Sequence, residues 1–337
     1  MARFSGVSSG TVPANTNVLV ATTLPKLQKQ IVDQFFQNLP FFQWLRSKNR
    51  ILRWTGGDTL EIPLMYGPNP MAKAYSSYET LDVKPPEGIT VAIYGLVHYR
   101  VPIFYSRSMA AANRGESQIV NLIQNLRDQA RLSLNRVINA DLFASSQSAR
   151  AINSMYTLLE ENDPTSQTAT VGGITKSAYS WWRHQYKTIA SASPGLLAGV
   201  RELYLACSNG TDTPDLGLCD TYTYQNLENQ LYTAYRIVNT QAADWGWDHV
   251  TYKGMTITWD KSISDDDHDG DGDGTLFLIN SNYMQLAIGD ADFRIIPPEY
   301  KVEQDAYLGV ILADLQVVVS QMRCHGVLQG GAYSAAV

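Results

Sequence analysis

"LRWTGGDTLEIPLMY", residues 52–66, and "ITVAIYGLVHYRVPIFY", residues 89–105, carry the decisive pattern of this chain. Polar and apolar positions alternate along both, the period of a strand with one face toward a core. Gly56-Gly57 interrupts the first stretch. Together they predict the two long strands of a hairpin. Their connection, "GPNPMAKAYSSYETLDVKPPEG" over residues 67–88, is rich in Pro, Gly, Ser and Tyr. At roughly 20 residues it is long beside the usual ~4–6. A lone hairpin is marginal in water. Residues 52–105 therefore read as a two-stranded arm that is stable only when it lies across another chain.

Downstream, residues 116–143 give the clearest helical period. Ile119, Leu122, Ile123, Leu126, Ala130, Leu134, Val137, Ile138 and Leu142 make one apolar stripe. Arg127, Asp128, Arg131, Asn135 and Arg136 face away. A helix of that length spans on the order of 40 Å, against a usual ~11–12 residues. Upstream, "LPKLQKQIVDQFFQNLPFFQWL" over residues 24–45 predicts a helix, a break at Pro40 and a second short element. Phe35, Phe36, Phe41, Phe42 and Trp44 mark a surface that needs burial, in the local core or on a neighbouring subunit. Residues 2–17, "ARFSGVSSGTVPANTN", are small and polar. Such an arm has no core of its own and is ordered only against something else.

The remainder is mixed. "GLLAGVRELYLACSNG" (residues 195–210) predicts a helix ended near Gly210. "CDTYTYQNLENQLYTAYRIV" (219–238) begins as a turn or strand and becomes a helix with Leu227, Leu231, Tyr232 and Tyr235 on one side. "VTYKGMTITWD" (250–260) is a hairpin turning at Lys253-Gly254. "AYLGVILADLQVVVSQMRCHGVL" (306–328) predicts a long strand of a central sheet.

Of 337 residues, 45% are hydrophobic and 17% charged, so a large core is feasible and global disorder is excluded. The net charge of −6, with no Lys/Arg run, argues against sequence-independent nucleic-acid binding. No apolar run approaches the ~18 residues of a membrane span. The first residues do not read as a signal peptide. Cys207, Cys219 and Cys324 are too few for a disulfide scaffold. They are expected as buried thiols, with a Cys207–Cys219 bridge left open by spacing alone.

Catalytic signatures are missing. None of His98, His184, His249, His268 and His325 has metal-ligand spacing, and no nucleophile elbow or phosphate loop occurs. Cys324 beside His325 reads as a packed thiol and an exposed imidazole near a strand end, pointing to opposite faces. The unusual segment is "SDDDHDGDGDG", residues 264–274. Its alternation resembles the start of a calcium loop, but position twelve falls on Asn280 or Leu278 instead of Glu. The reading taken is a solvated acidic tip, with a weak calcium site at Asp267, Asp269, Asp271 and Asp273 as the alternative. Lys73 and Lys84 read as solvated; an isopeptide bond would need a desolvated, low-pKa amine beside an acid.

The order of elements, together with "GGDTLEIPLMYG", "YSSYETLDVKPPEGITVAIY" and the terminal "HGVLQG", resembles the major capsid proteins of tailed phages, the Hong Kong 97-like fold. The resemblance implies an α+β chain divided into an N-terminal arm with a short helix (1–51), an E-loop hairpin (52–105), a peripheral domain with a spine helix (106–144), an axial domain (145–305) and a return strand with the C-terminus (306–337). It implies a non-enzymatic subunit forming hexamers and pentamers of an icosahedral virion head, assembled in the host cytoplasm around packaged double-stranded DNA. The arm is too short to hold a cleaved scaffolding segment, which implies a separate scaffolding protein or none. A portal is an expected partner, and a decoration protein is a further candidate. Phe35, Phe36, Phe41, Phe42, Trp44, Tyr66, Tyr75 and Tyr78 are the expected inter-subunit contacts. The alternatives are an encapsulin-like compartment and a calcium-binding adhesive module.

Overall fold

The computed structural model describes residues 40–57, 59–69, 71–78, 80, 88–112, 122–189, 195–234, 250–263, 274–289, 294–301 and 305–330. The polar arm, the first predicted helix, Lys84, the predicted start of the long helix and the acidic run lie outside these residues. In chain order the elements are α1 (Pro40–Ser47), β1 (Ile51–Trp54), β2 (Thr59–Met65), β3 (Ile89–Gly95), β4 (Val97–Ser106), α2 (Arg107–Ala112), α3 (Leu122–Leu142) and the single turn α4 (Met155–Leu158). Next come β5 (Thr170–Val171), β6 (Ile174–Thr175), a 3-10 turn at Ser180–Trp182, β7 (Gln185–Thr188), α5 (Leu196–Cys207), β8 (Leu216–Cys219) and α6 (Thr221–Ala234). The chain finishes with β9 (Val250–Tyr252), β10 (Met255–Trp259), β11 (Thr275–Ile279), β12 (Met284–Gly289), β13 (Arg294–Lys301), β14 (Ala306–Val319) and β15 (Gly326–Gln329).

The chain forms two compact units. One holds the described residues within Arg100–Arg136 and Phe293–Leu312. Here β13 and the first half of β14 pair antiparallel, with a register shift between Ile296 and Glu299. Pro297 and Pro298 occupy the shift; without N–H groups they cannot continue a ladder. Tyr307 stacks on Tyr105 at 5.2 Å and meets Tyr300 edge-on at 5.5 Å. Arg107 Nε donates to Asp305 Oδ1 at 2.9 Å.

The other unit holds the described residues within Asn38–Tyr99, Val137–Asp292 and Ala313–Val337. Its larger sheet runs β7-β15-β11-β8-β10-β9. Helices α5 and α6 pack on one face, where Leu196, Val200, Leu203 and Cys207 meet Leu227, Leu276, Leu278 and Leu328 in one buried cluster. Gly326 lets β15 approach α5 closely: a Cβ there would lie 2.6 Å from Cys207 Sγ. In the second sheet, β1 runs parallel to β12, and β12 antiparallel to the end of β14.

Several expectations are corrected. The first stretch does not form one hairpin strand. It divides at Gly56-Gly57, and β1 pairs with β12 instead. The second divides at Leu96, and β4 pairs with β14. The hairpin proper is β2–β3. The C-terminal stretch is two strands, because the chain turns after Val319 and β15 joins the larger sheet. Its turn brings His325 inside, fully buried instead of exposed, with Nδ1 accepting from Asn280 N–H at 3.2 Å. Helix α5 ends at Cys207 with Ser208 as its cap, ahead of Gly210. The second short element expected at Pro40 is present as α1, which Pro40 begins, where its missing N–H costs no hydrogen bond. In α3, Ala130, Leu134, Ile138 and Leu142 are buried at four-residue spacing, while Val137 on the flank of the stripe is exposed. The described part of this helix spans about 30 Å.

Candidate interaction surface

Strands β2 and β3 pair antiparallel from Thr59↔Gly95 to Met65↔Ile89. Paired residues share a face and successive pairs alternate. One face carries Leu60, Ile62 and Leu64 opposite Tyr94, Ala92 and Thr90; Leu64, Ala92 and Tyr94 are buried. The other carries Thr59, Glu61, Pro63 and Met65 opposite Gly95, Ile93, Val91 and Ile89. Met65 is 82% exposed, Ile89 73%, Ile93 47% and Val91 39%. Both faces are thus apolar, which is the pattern of a strand covered on both sides. The described residues cover one.

The buried face is held in three ways. Tyr94 donates its hydroxyl to Val319 O at 2.8 Å, and burial pushes that phenol well above its usual range. Gln316 Nε2 donates to Gly95 O at 3.0 Å. Ile93 N–H, on the edge away from β2, donates to Gly172 O at 2.9 Å. Tyr66, at the end of β2, stacks on Trp181 at 4.9 Å and 17°.

The expected contact residues are dispersed. Tyr75 and Tyr78 are exposed in the loop, Tyr78 completely. Tyr66 is partly covered by its stack. Phe41 and Trp44 are buried in their own unit, with Phe42 edge-on to Phe41 at 5.4 Å. Phe35 and Phe36 lie outside the described residues, as do Asp267, Asp269, Asp271 and Asp273. Among the described residues no group of His, Cys, Asp or Glu could hold a metal, and no helix is long and apolar enough to cross a membrane. All three cysteines are buried and free, and burial raises each thiol's pKa.

Sequence reasoning missed a buried charged cluster. Lys176 is fully buried, with Nζ 2.9 Å from Leu158 O, 3.3 Å from Thr157 O and 3.2 Å from Glu160 Oε2. His184 Nδ1 lies 3.4 Å from the same amine, and His184 Nε2 lies 2.8 Å from Glu160 O. This geometry sets the tautomer: Nε2–H donates to the carbonyl and Nδ1 accepts from the ammonium. Burial lowers the Lys176 pKa to about 8, opposed by Glu160. Burial and the adjacent Lys176 charge hold His184 well below its usual range, and burial takes His325 to about 3. No spacing rule announces such a cluster, since the amine meets acceptors at Thr157, Leu158 and Glu160 that lie 16 to 19 residues before it and two of them are backbone carbonyls.

No protein-family model matches the sequence, and no curated protein matches it. Solved structures do. The chain is similar to the capsid asymmetric unit of cyanophage A-1(L), with a TM-score of 0.69, 12% identity, and coverage of 95% of this chain and 99% of that one. It is similar to the capsid of a native GTA particle, with a TM-score of 0.59, 11% identity and coverage of 94% and 99%. The capsid of Myoviridae phage XM1 gives a TM-score of 0.54, 13% identity and coverage of 96% and 100%. At such identities the fold is what is shared, and the α+β, Hong Kong 97-like class expected from the sequence is the fold observed.

Proposed function

We propose that this chain is the major structural subunit of a closed phage-type shell and performs no catalysis. The observation that carries the reading is the outward face of β2–β3: an apolar strip of Pro63, Met65, Ile89, Val91 and Ile93 with a single charge, Glu61, in a fold shared with capsid chains. Moving a large apolar side chain out of water is worth about 1.5–3 kcal/mol, so a strip of this size is a strong drive to associate. Closed symmetry repeats one such contact around the particle. In this reading residues 1–51 are an arm, 52–105 carry the hairpin, 106–144 and 306–337 form the peripheral region and 145–305 the axial one. Tyr75 and Tyr78 contribute to the contact with a second copy.

The negative net charge fits a wall that encloses DNA without gripping it. Hexamers and pentamers, assembly in a host cytoplasm, a portal and a separate scaffold are the finer parts of the proposal. Electron microscopy and light scattering of the purified chain test it. Closed particles of uniform diameter are expected. A chain that stays monomeric at all concentrations, with and without candidate scaffolds, overturns the reading. Particles that enclose a protein cargo in place of DNA point to a compartment shell instead.

A further inference from the structure

Between β5 and β6 the chain makes a two-residue tongue, Gly172-Gly173, with φ of +60° and +76°. Positive φ at both central residues suits a tight hairpin turn and favours glycine. At its tip Gly172 accepts from Ile93 N–H. A Cβ on Gly172 would stand 2.9 Å from Ala92 Cβ and 3.0 Å from the Tyr94 ring, so only glycine allows the approach. Trp182 Nε1 donates to Val171 O at 3.0 Å from a buried position, while its neighbour Trp181 stacks on Tyr66.

The root is braced by the charged cluster. Glu160 Oε1 accepts from Thr168 N at 3.1 Å and Ala169 N at 3.0 Å, where the tongue begins. Glu160 Oε2 meets Lys176 Nζ, where it ends. Lys176 N–H closes the loop on Ala169 O at 3.1 Å. One carboxylate thus ties both ends of the tongue, and His184 caps the amine and the Glu160 carbonyl.

We infer that the tongue is a positioning element for the hairpin: Gly172 and Trp181 fix the angle at which the apolar strip of β2–β3 is presented to a second copy of this chain. The inference rests on the shell reading for the identity of that partner. The hairpin's free edge is capped by the chain's own tongue, and its presented face is set by the same contact. Neither Gly172 nor Trp181 belongs to the strip, so each acts through the hairpin.

The test pairs amide exchange with assembly in the full-length chain. In Gly172→Ala, the Ile93 amide is expected to exchange about tenfold faster, the factor expected for one lost hydrogen bond of ordinary strength. The Ile257 amide in the larger sheet keeps its wild-type protection, and particles become fewer or uneven in diameter. Trp181→Ala moves in the same direction, and Trp181→Phe, which keeps a ring on Tyr66, restores yield and diameter. Unchanged Ile93 exchange overturns the inference, as does faster exchange with particles of wild-type yield and diameter. If Gly172→Ala also exposes Ile257, the Trp181 pair decides. Unequal yields at equal melting temperature support the role, and equal yields overturn it. A wild-type chain that never assembles overturns the shell reading, and with it the partner; Ile93 exchange then still decides whether the tongue holds the hairpin.

Discussion

Strand β11 and the β2–β3 hairpin are both apolar on two faces, and the chain treats them differently. "TLFLI" in β11 is buried at every position. Leu276 and Leu278 face the α5–α6 cluster, and Phe277 on the other side meets Tyr156 edge-on at 5.3 Å. The hairpin is also apolar on two faces, yet its outward residues stay in water. A doubly apolar strand needs two covers. The described residues supply both for β11 and one for the hairpin. Burial of the first is a matter of folding; burial of the second is left, in the proposed reading, to a second copy.

That contrast can be broken in four places. Phe277→Ala is expected to cost about 3–5 kcal/mol in denaturant unfolding; a loss below about 1 kcal/mol would mean that β11 is not covered on its second face. Lys176→Met removes one member of a buried pair and should cost roughly 3–5 kcal/mol. Adding Glu160→Gln should recover part of that loss, because the amide keeps an oxygen for Thr168 and Ala169 while shedding the unpaired charge. If the double variant is no better than the single one, the carboxylate is not the brace.

Acid is the third probe. His184 and His325 are held neutral in the fold, with pKa values below the ordinary ~6.5 of an unfolded chain. The unfolded state therefore takes up protons first, so stability is full above pH ~6.5 and falls as pH drops toward the folded values. Each histidine contributes a slope of about 1.4 kcal/mol per pH unit in that window. His325→Asn, which keeps an acceptor for Asn280 N–H, should make the acid limb of a stability-against-pH curve shallower by one proton. The smallest effect is expected on the hairpin. Met65→Asp should change the melting of the lone chain by no more than about 0.5 kcal/mol while stopping particle formation. A large drop in melting would show that the strip is already part of a core.

The hairpin was legible because alternation is local. Leu60, Ile62 and Leu64 against Thr59 and Glu61 fix the two faces without knowledge of anything distant. The α3 stripe was legible for the same reason. The fate of β1 was not. Its four residues look continuous with the hairpin, yet they pair in parallel with β12, a partner more than two hundred residues away that no local pattern can name. His325 was misplaced because a strand was read through the turn that follows Val319. Lys176 was invisible, since a buried amine depends on carbonyls at Thr157 and Leu158 and a carboxylate at Glu160 arriving together. Among the aromatic residues, Phe41 and Trp44 were correctly marked as needing burial, but sequence does not say whether the cover is the chain or a copy.

The splitting of the hairpin from its flanking strands has a mechanical meaning. Only the short step over Gly56-Gly57 separates β2 from β1, and only Leu96 separates β3 from β4. Both legs of the arm are thus rooted in strands, one laddered to β12 and the other to β14. A pull directed along those strands loads their hydrogen bonds together in shear, so that they resist as a set instead of unzipping one at a time.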